Sequence, residues 1–310
     1  MTTRSPKIKG MGVTWALGVV LFIWGNPQLA DARLIVLSAG GVDIHYEASL
    51  KNAARQAAEI YRQAKTQLEA FFGWKYEVTS TVILLKNSHD FNRLSGHSYI
   101  VALAVPPKNL IIIDYSKMND TPFSFEKTMK HEICHLMLHH HIRNSRLPKW
   151  LDEGIAQWVS DGMMELLMDS RRRSLGDAIL AGNHIPLADL RYRFPRDRQL
   201  LWLAYEESKS MVAYMEGQYG KAGVLDVLNR LKSGQDLETA LLEGLGISFE
   251  ELESNWRHQL KQPAHFFAFL ATYIYEALFF LAAILTIAGF VRFLIKKRAY
   301  QDEDEDDVGD

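Results

Sequence analysis

The apolar positions of this 310-residue chain change period along its length. From Leu34 to Tyr46 they alternate, broken at Gly40-Gly41, which predicts one or two short strands. Leu50 to Phe72 repeats at helical spacing and stops before Gly73, so it reads as one long amphipathic helix. Val78 to Leu85 is a short apolar run bounded by polar residues and reads as a strand. Ser88 is placed to cap a short helix running through Leu94. Tyr99–Val105 and Leu110–Tyr115 are apolar runs joined by Pro106-Pro107-Lys108-Asn109, the pattern of a strand pair. Thr121 as N-cap and Pro122 at the first helical position then introduce a helix over Phe123–His141, with Phe125, Met129, Ile133 and Met137 on one side. After a turn at Pro148-Lys149, helical spacing resumes from Leu151. It continues with breaks near Gly176, Pro186, Pro195 and Gly220. Strands come first and a helical lobe last, so the expected class is α+β with a cleft between two lobes.

Two longer apolar stretches lie at the ends. Met11–Trp24 follows Arg4, Lys7 and Lys9 and precedes Ala30-Asp31-Ala32, the three parts of a secretory signal peptide. Residues 1–32 are therefore expected to be removed, with an uncleaved anchor as the rival reading. Phe266–Ile295 is apolar around most of its circumference, and a transmembrane helix is expected over residues 268–295. Lys296, Lys297 and Arg298 follow at once, and residues 296–310 end in an acidic run. The positive-inside rule puts that tail in the cytoplasm and residues 33–262 on the outer side.

Composition narrows the classes. The formal net charge is −2, which gives no sign of nucleic acid binding. Cys134 is the only cysteine, so no intramolecular disulfide can form and the exported domain must rely on its core. Cys134 itself reads as a small packed side chain.

The chemistry lies in His131-Glu132-Ile133-Cys134-His135. Two histidines four apart share one helix face and can both reach one zinc ion. The glutamate beside them can accept a proton from water, so H-E-x-x-H supplies two ligands and a general base for metal-assisted hydrolysis. A catalytic zinc needs a third protein ligand and an open position. His141, six residues after His135, has the spacing of metzincins, but Leu138 stands where that group has a glycine turn. Glu153, in Trp150-Leu151-Asp152-Glu153-Gly154-Ile155-Ala156, is the other candidate, if a second helix packs on the first.

H-E-x-x-H followed by W-L-x-E-G-x-A resembles the gluzincin metallopeptidases, in particular the peptidase MA-like domain of many bacterial proteins. The likeness runs in outline from Ile35 to Leu260, with its specific residues between His131 and Trp158. It implies a small N-terminal sheet with helices, a zinc helix and a helical C-terminal lobe. It implies His131, His135 and Glu153 as Zn2+ ligands, Glu132 as catalytic base, and a peptide or protein substrate. Tyr205 resembles a tyrosine that gluzincins place after the third ligand to stabilise the oxyanion; the alternative is a tyrosine packed in a helical core. His184 is a second candidate for that role. Thermolysin-like relatives carry an aspartate four residues after the third ligand to orient a ligand histidine, and here Gln157 holds that position. If Leu110–Tyr115 is the sheet edge, an extended peptide can pair with it; the alternative is an ordinary internal strand. His139, His140 and His141 read as the exposed end of the helix, and Arg171-Arg172-Arg173 as a solvated turn.

The resemblance and the two terminal signals together describe a zinc metallopeptidase held in the bacterial cytoplasmic membrane by its C-terminal helix, with its active site outside. Two alternatives belong to other classes. One is a non-catalytic zinc-containing scaffold that keeps the peptidase fold. The other is a zinc hydrolase acting on a non-peptide bond.

Overall fold

The computed structural model describes residues 34–96, 100–118, 123–143, 146–161, 175, 184–260 and 278–294. They fall into two units. The first holds a five-stranded sheet and the helices packed on and after it. Its strands are β1 (Ile35–Ala39), β2 (Val42–Tyr46), β3 (Ser80–Leu85), β4 (Ala102–Val105) and β5 (Leu110–Asp114), in spatial order β1-β2-β3-β5-β4. β2, β3 and β5 are parallel, and the outer pairs β1–β2 and β4–β5 are antiparallel. The predicted α+β class is found, with a mixed sheet.

Local signals account for several of these elements. Gly40 and Gly41 both take positive φ, 59° and 84°, and turn β1 into β2 as expected. Helix α1 (Lys51–Phe72) buries Ala53, Ala57, Tyr61, Ala64, Leu68 and Phe72, one stripe at spacings of three and four. It ends at Gly73, whose φ of 69° lets its N–H reach the Glu69 carbonyl. Helix α2 (Ser88–Ser95) starts one residue earlier than a Ser88 cap requires. Asn87 is the cap, accepting from the Asp90 N–H, and Ser88 instead donates to Asp114.

Of the two readings of Leu110–Tyr115, the interior strand is the one found. All five residues of β5 are buried, because β3 and β4 flank it and helices cover both faces. α2 lies on one face, where Phe91 and Leu94 join Leu85, Leu110 and Ile112. The free edge on this side of the sheet is β4, so any peptide added to the sheet would pair with Ala102–Val105.

Helix α3 (Phe125–His141) is capped by Ser124, whose hydroxyl accepts from the Lys127 N–H. Thr121 and Pro122 lie outside the described residues. α3 packs on α1 and β4, and on α4 (Lys149–Ser160). α4 packs in turn on α5 (Arg198–Ser233), which is broken at Gly220 (φ 68°, ψ 170°) as the sequence predicts. α6 (Leu237–Leu245) and α7 (Phe249–Leu260) follow.

The start of α4 is held from outside. The Lys149 N–H donates to the Arg191 carbonyl (2.8 Å) and the Trp150 N–H to that of Leu190 (3.2 Å). Two buried carboxylates anchor that strap: Glu207 accepts from the Ile185 N–H (3.0 Å) and Glu253 from the Leu187 N–H (3.2 Å). Burial, opposed by the Ile185 N–H and aided by Glu253, lifts the Glu207 pKa from 4.5 to about 8. Between those values the folded chain keeps a proton that the unfolded chain releases, so stability falls as pH rises through the window. Glu207→Gln should remove about 3 kcal/mol of the loss between pH 5 and pH 8.5, read by urea unfolding at both pH values. An unchanged pH dependence would contradict it.

The second unit's described residues are 255–260 and 278–294. Residues 278–294 are helical, and their large apolar side chains, Phe279, Ile284, Ile287 and Phe293 among them, are exposed. Among the described residues no helix is long and apolar enough to cross a membrane. The expected span begins at residue 268, and its first ten residues and residue 295 lie outside the described set, as do the signal segment 1–32 and Arg171–Arg173.

Candidate active site

α3 presents His131 and His135 one turn apart, and α4 brings Glu153 to them. The His131 and His135 Nε2 atoms are 3.1 Å apart, and each is 3.5 Å from Glu153 Oε2. A tetrahedral zinc with bonds of about 2.0–2.1 Å has ligand atoms about 3.3–3.4 Å apart, so this triangle has the size of one face of that tetrahedron. Glu153 Oε2 is buried and has no hydrogen-bond partner. A buried carboxylate oxygen left bare beside two imidazole nitrogens is the donor set that a divalent cation would complete. The residues fit zinc.

A second carboxylate on α4 holds His135 in place. Asp152 Oδ1 lies 2.7 Å from His135 Nδ1. A carboxylate only accepts, so Nδ1 carries the proton and Nε2 turns its lone pair to the site. Asp152 Oδ2 meets His139 Nε2 at 3.0 Å. Gln157, which stands where thermolysin-like relatives carry an orienting aspartate, donates to the Tyr205 carbonyl (3.2 Å) and ties α4 to α5. Asp152 instead meets His135, from the residue before Glu153 on the same helix. His139 is thus not a free helix end, and His141 is not one either: its Nε2 donates to the Lys75 carbonyl (2.9 Å). His141 therefore stands apart from the His131–His135–Glu153 cluster, and among the described residues His184 belongs neither to that cluster nor to the neighbouring His135–His139–Asp152 group.

Charge in the pocket is dense and internally paired. Lys149 lies 2.6 Å from Glu153 Oε1 and 3.4 Å from Asp152 Oδ2. Burial opposes the charge on both carboxylates, but Lys149 and His135 hold Glu153 well below the ordinary range, and His135 and Lys149 do the same for Asp152. Burial also works against His135, yet Asp152 and Glu153 push its pKa up to about 10. The field that favours a second proton on His135 is the field that favours a metal cation between these groups.

Glu132 is buried beside the two histidines and accepts from the Ala104 N–H on edge strand β4. Burial raises its pKa against the pull of His131 and His135. A carboxylate so raised is a better proton acceptor than one in water. Tyr205, on α5, is half-buried, its ring edge-on to Phe194 at 4.9 Å. Burial raises its phenol, and Glu153, Lys149, Glu132 and Asp152 all act on it, which puts it in the field of the site. Gly154 makes the α4–α5 contact possible, since a Cβ there would run into the Ser208 carbonyl oxygen and meet Val212 Cγ2 at 2.7 Å. Cys134 is fully buried, as expected of a packed side chain.

In the sequence Asp152 carries no signal of its own, Lys149 reads only as part of a turn and His139 as an exposed helix end. Lys149 precedes Asp152 by three and Glu153 by four residues, the helical ion-pair spacing, and that signal could have found it. Asp152 and His139 meet only because α3 and α4 pack.

No curated protein matches the chain in sequence. Among solved structures it is similar to aminopeptidase A of Legionella pneumophila in complex with aspartic acid, at 16% identity and a TM-score of 0.44. The likeness covers 72% of this chain and 27% of that one, so the chain spans about a quarter of that enzyme's length. The family model of the Peptidase MA superfamily matches residues 62–262, more than half of the chain and the whole of α3 and α4. The chain belongs to the Peptidase MA superfamily.

Proposed function

We propose that this protein is a zinc-dependent metallopeptidase of gluzincin type that hydrolyses peptide bonds outside the membrane that anchors it. The observation that carries the reading is the His131–His135–Glu153 triangle, with a bare Glu153 oxygen and Glu132 buried alongside. Zinc held there by the three residues would supply a Lewis acid that acidifies water and polarises a carbonyl. Glu132 takes a proton from the attacking water and returns it to the leaving amine nitrogen. Asp152 keeps His135 in the tautomer that leaves Nε2 free. Tyr205 donates a hydrogen bond from its phenol, which keeps its proton, to the oxygen that gains charge. β4 offers an unpaired strand edge to an extended peptide, next to Glu132.

The anchor rests on the exposed apolar run at 278–294, about 25 Å long at 1.5 Å per residue, which flanking residues would extend towards the roughly 30 Å of a bilayer core. Full-length protein made in bacteria should remain in the membrane fraction after a carbonate wash, and removal of residues 268–310 should release it. A full-length chain recovered in the wash would contradict the anchor.

The function is tested with purified protein and a peptide library. Cleavage that a chelator abolishes and zinc restores is expected. Zinc binding without cleavage of any peptide would overturn the reading and favour the scaffold or a non-peptide substrate.

A further inference from the structure

Glu153 uses its two oxygens differently. Oε1 accepts from the Lys149 ammonium at 2.6 Å, while Oε2 has no hydrogen-bond partner and faces both histidine Nε2 atoms at 3.5 Å. Lys149 sits one helical turn before Glu153, and its own N–H is pinned to the Arg191 carbonyl, so the approach of the ammonium is set by the backbone as well as by charge. Its side chain is 36% exposed, and the site therefore carries a cation at its rim.

We infer that Lys149 is a positioning residue of the metal site: it confines Glu153 to one donor oxygen, weakens that donor, and so keeps the bound metal loosely held and acidic. The inference rests on the zinc reading above. A carboxylate can give a metal one oxygen or two. Two would fill the coordination position that water or a substrate carbonyl needs, since a catalytic site keeps one position open. The charge-assisted hydrogen bond from Lys149 occupies Oε1 and draws electron density from the whole carboxylate. The ammonium also repels a divalent ion directly. Each of these effects lowers metal affinity, and each leaves the ion less neutralised by its ligands. Asp152 acts in the opposite sense on His135, where accepting the Nδ1 proton makes Nε2 the stronger donor. Two neighbours on α4 thus tune two ligands of one metal in opposite directions. A plainer role, in which Lys149 only neutralises Asp152 and Glu153 so that the pocket folds, makes different predictions.

The test replaces Lys149 by Met, which keeps length without charge, and by Arg, which keeps charge. Three quantities are read: zinc affinity by competition with a chromophoric chelator, the visible absorption of the cobalt(II)-loaded protein, and kcat and KM on a cleaved peptide. In Lys149→Met, zinc should bind about tenfold more tightly or better, and kcat should fall about tenfold with KM little changed. The cobalt bands should weaken as Glu153 contributes its second oxygen and the coordination number rises. Lys149→Arg should return each quantity towards that of the parent protein. Zinc affinity that is lower or unchanged in Lys149→Met, with the cobalt spectrum unaltered, overturns the inference and leaves charge neutralisation. If Lys149→Met does not fold, Lys149→Gln gives the same comparison, again with tighter zinc binding expected and looser or equal binding contradicting it. A parent protein that binds no zinc overturns the zinc reading; a parent that binds zinc, with affinity insensitive to Lys149, overturns this inference alone.

Discussion

Glu132→Gln should lower kcat by about 10²–10⁴-fold while leaving zinc bound. The substitution keeps the shape of the side chain and removes its ability to take a proton. Glu132 lies beside the cluster, not within the His131–His135–Glu153 triangle, so the three side chains that could hold a metal are untouched. Its raised pKa and its hydrogen bond from Ala104 fit a base held against the substrate edge. The glutamine amide oxygen can still accept from Ala104, so the fold should be kept. The check is steady-state kinetics on a cleaved peptide, paired with metal analysis of the same preparation. Activity within tenfold of the parent would mean that another group takes the proton. Loss of zinc together with activity would mean that Glu132 supports the site instead.

Gly154→Ala should destabilise the chain by on the order of 3 kcal/mol and weaken zinc binding. In an exposed helix the same change stabilises by about 1 kcal/mol, because alanine is the better helix former. Here packing overrides propensity. The added Cβ would be driven into the Ser208 carbonyl oxygen of α5, and backbone cannot swing aside as a side chain can. α4 would have to move off α5, and Glu153, the next residue back, would move with it. Thermal unfolding should show a melting temperature lower by about 10 °C, for a domain of this size. An equal or higher melting temperature would show that α4 and α5 do not touch at Gly154. This contact also explains why a glycine follows Glu153: it is where α4 is pressed against α5.

Much of this was legible in the sequence because the signals are local. Gly73 ends α1, Gly40-Gly41 turns the hairpin and Gly220 breaks α5, each through backbone freedom at one position. His131, Glu132 and His135 lie on one helix, so their juxtaposition needs nothing beyond helical geometry. Other features depend on which elements pack together. Leu110–Asp114 is apolar throughout, a pattern equally suited to an edge strand and to an interior one, and only the pairing with both β3 and β4 makes it interior. Thermolysin-like relatives carry an aspartate four residues after the third ligand, where Gln157 stands, whereas Asp152 meets His135 from the position before Glu153, across the α3–α4 interface. His139 looked like an exposed helix end until α4 placed Asp152 against it. The choice between His141 and Glu153 had the same origin, since only the path of the chain after α3 decides which side chain returns to His131 and His135.

The central claim is a zinc centre built from His131, His135 and Glu153. Metal analysis of the purified protein after dialysis, set beside Glu153→Ala and His141→Ala, tests it most directly. One zinc per chain is expected in the parent and in His141→Ala, with zinc lost from Glu153→Ala. Zinc kept by Glu153→Ala and lost from His141→Ala would contradict it.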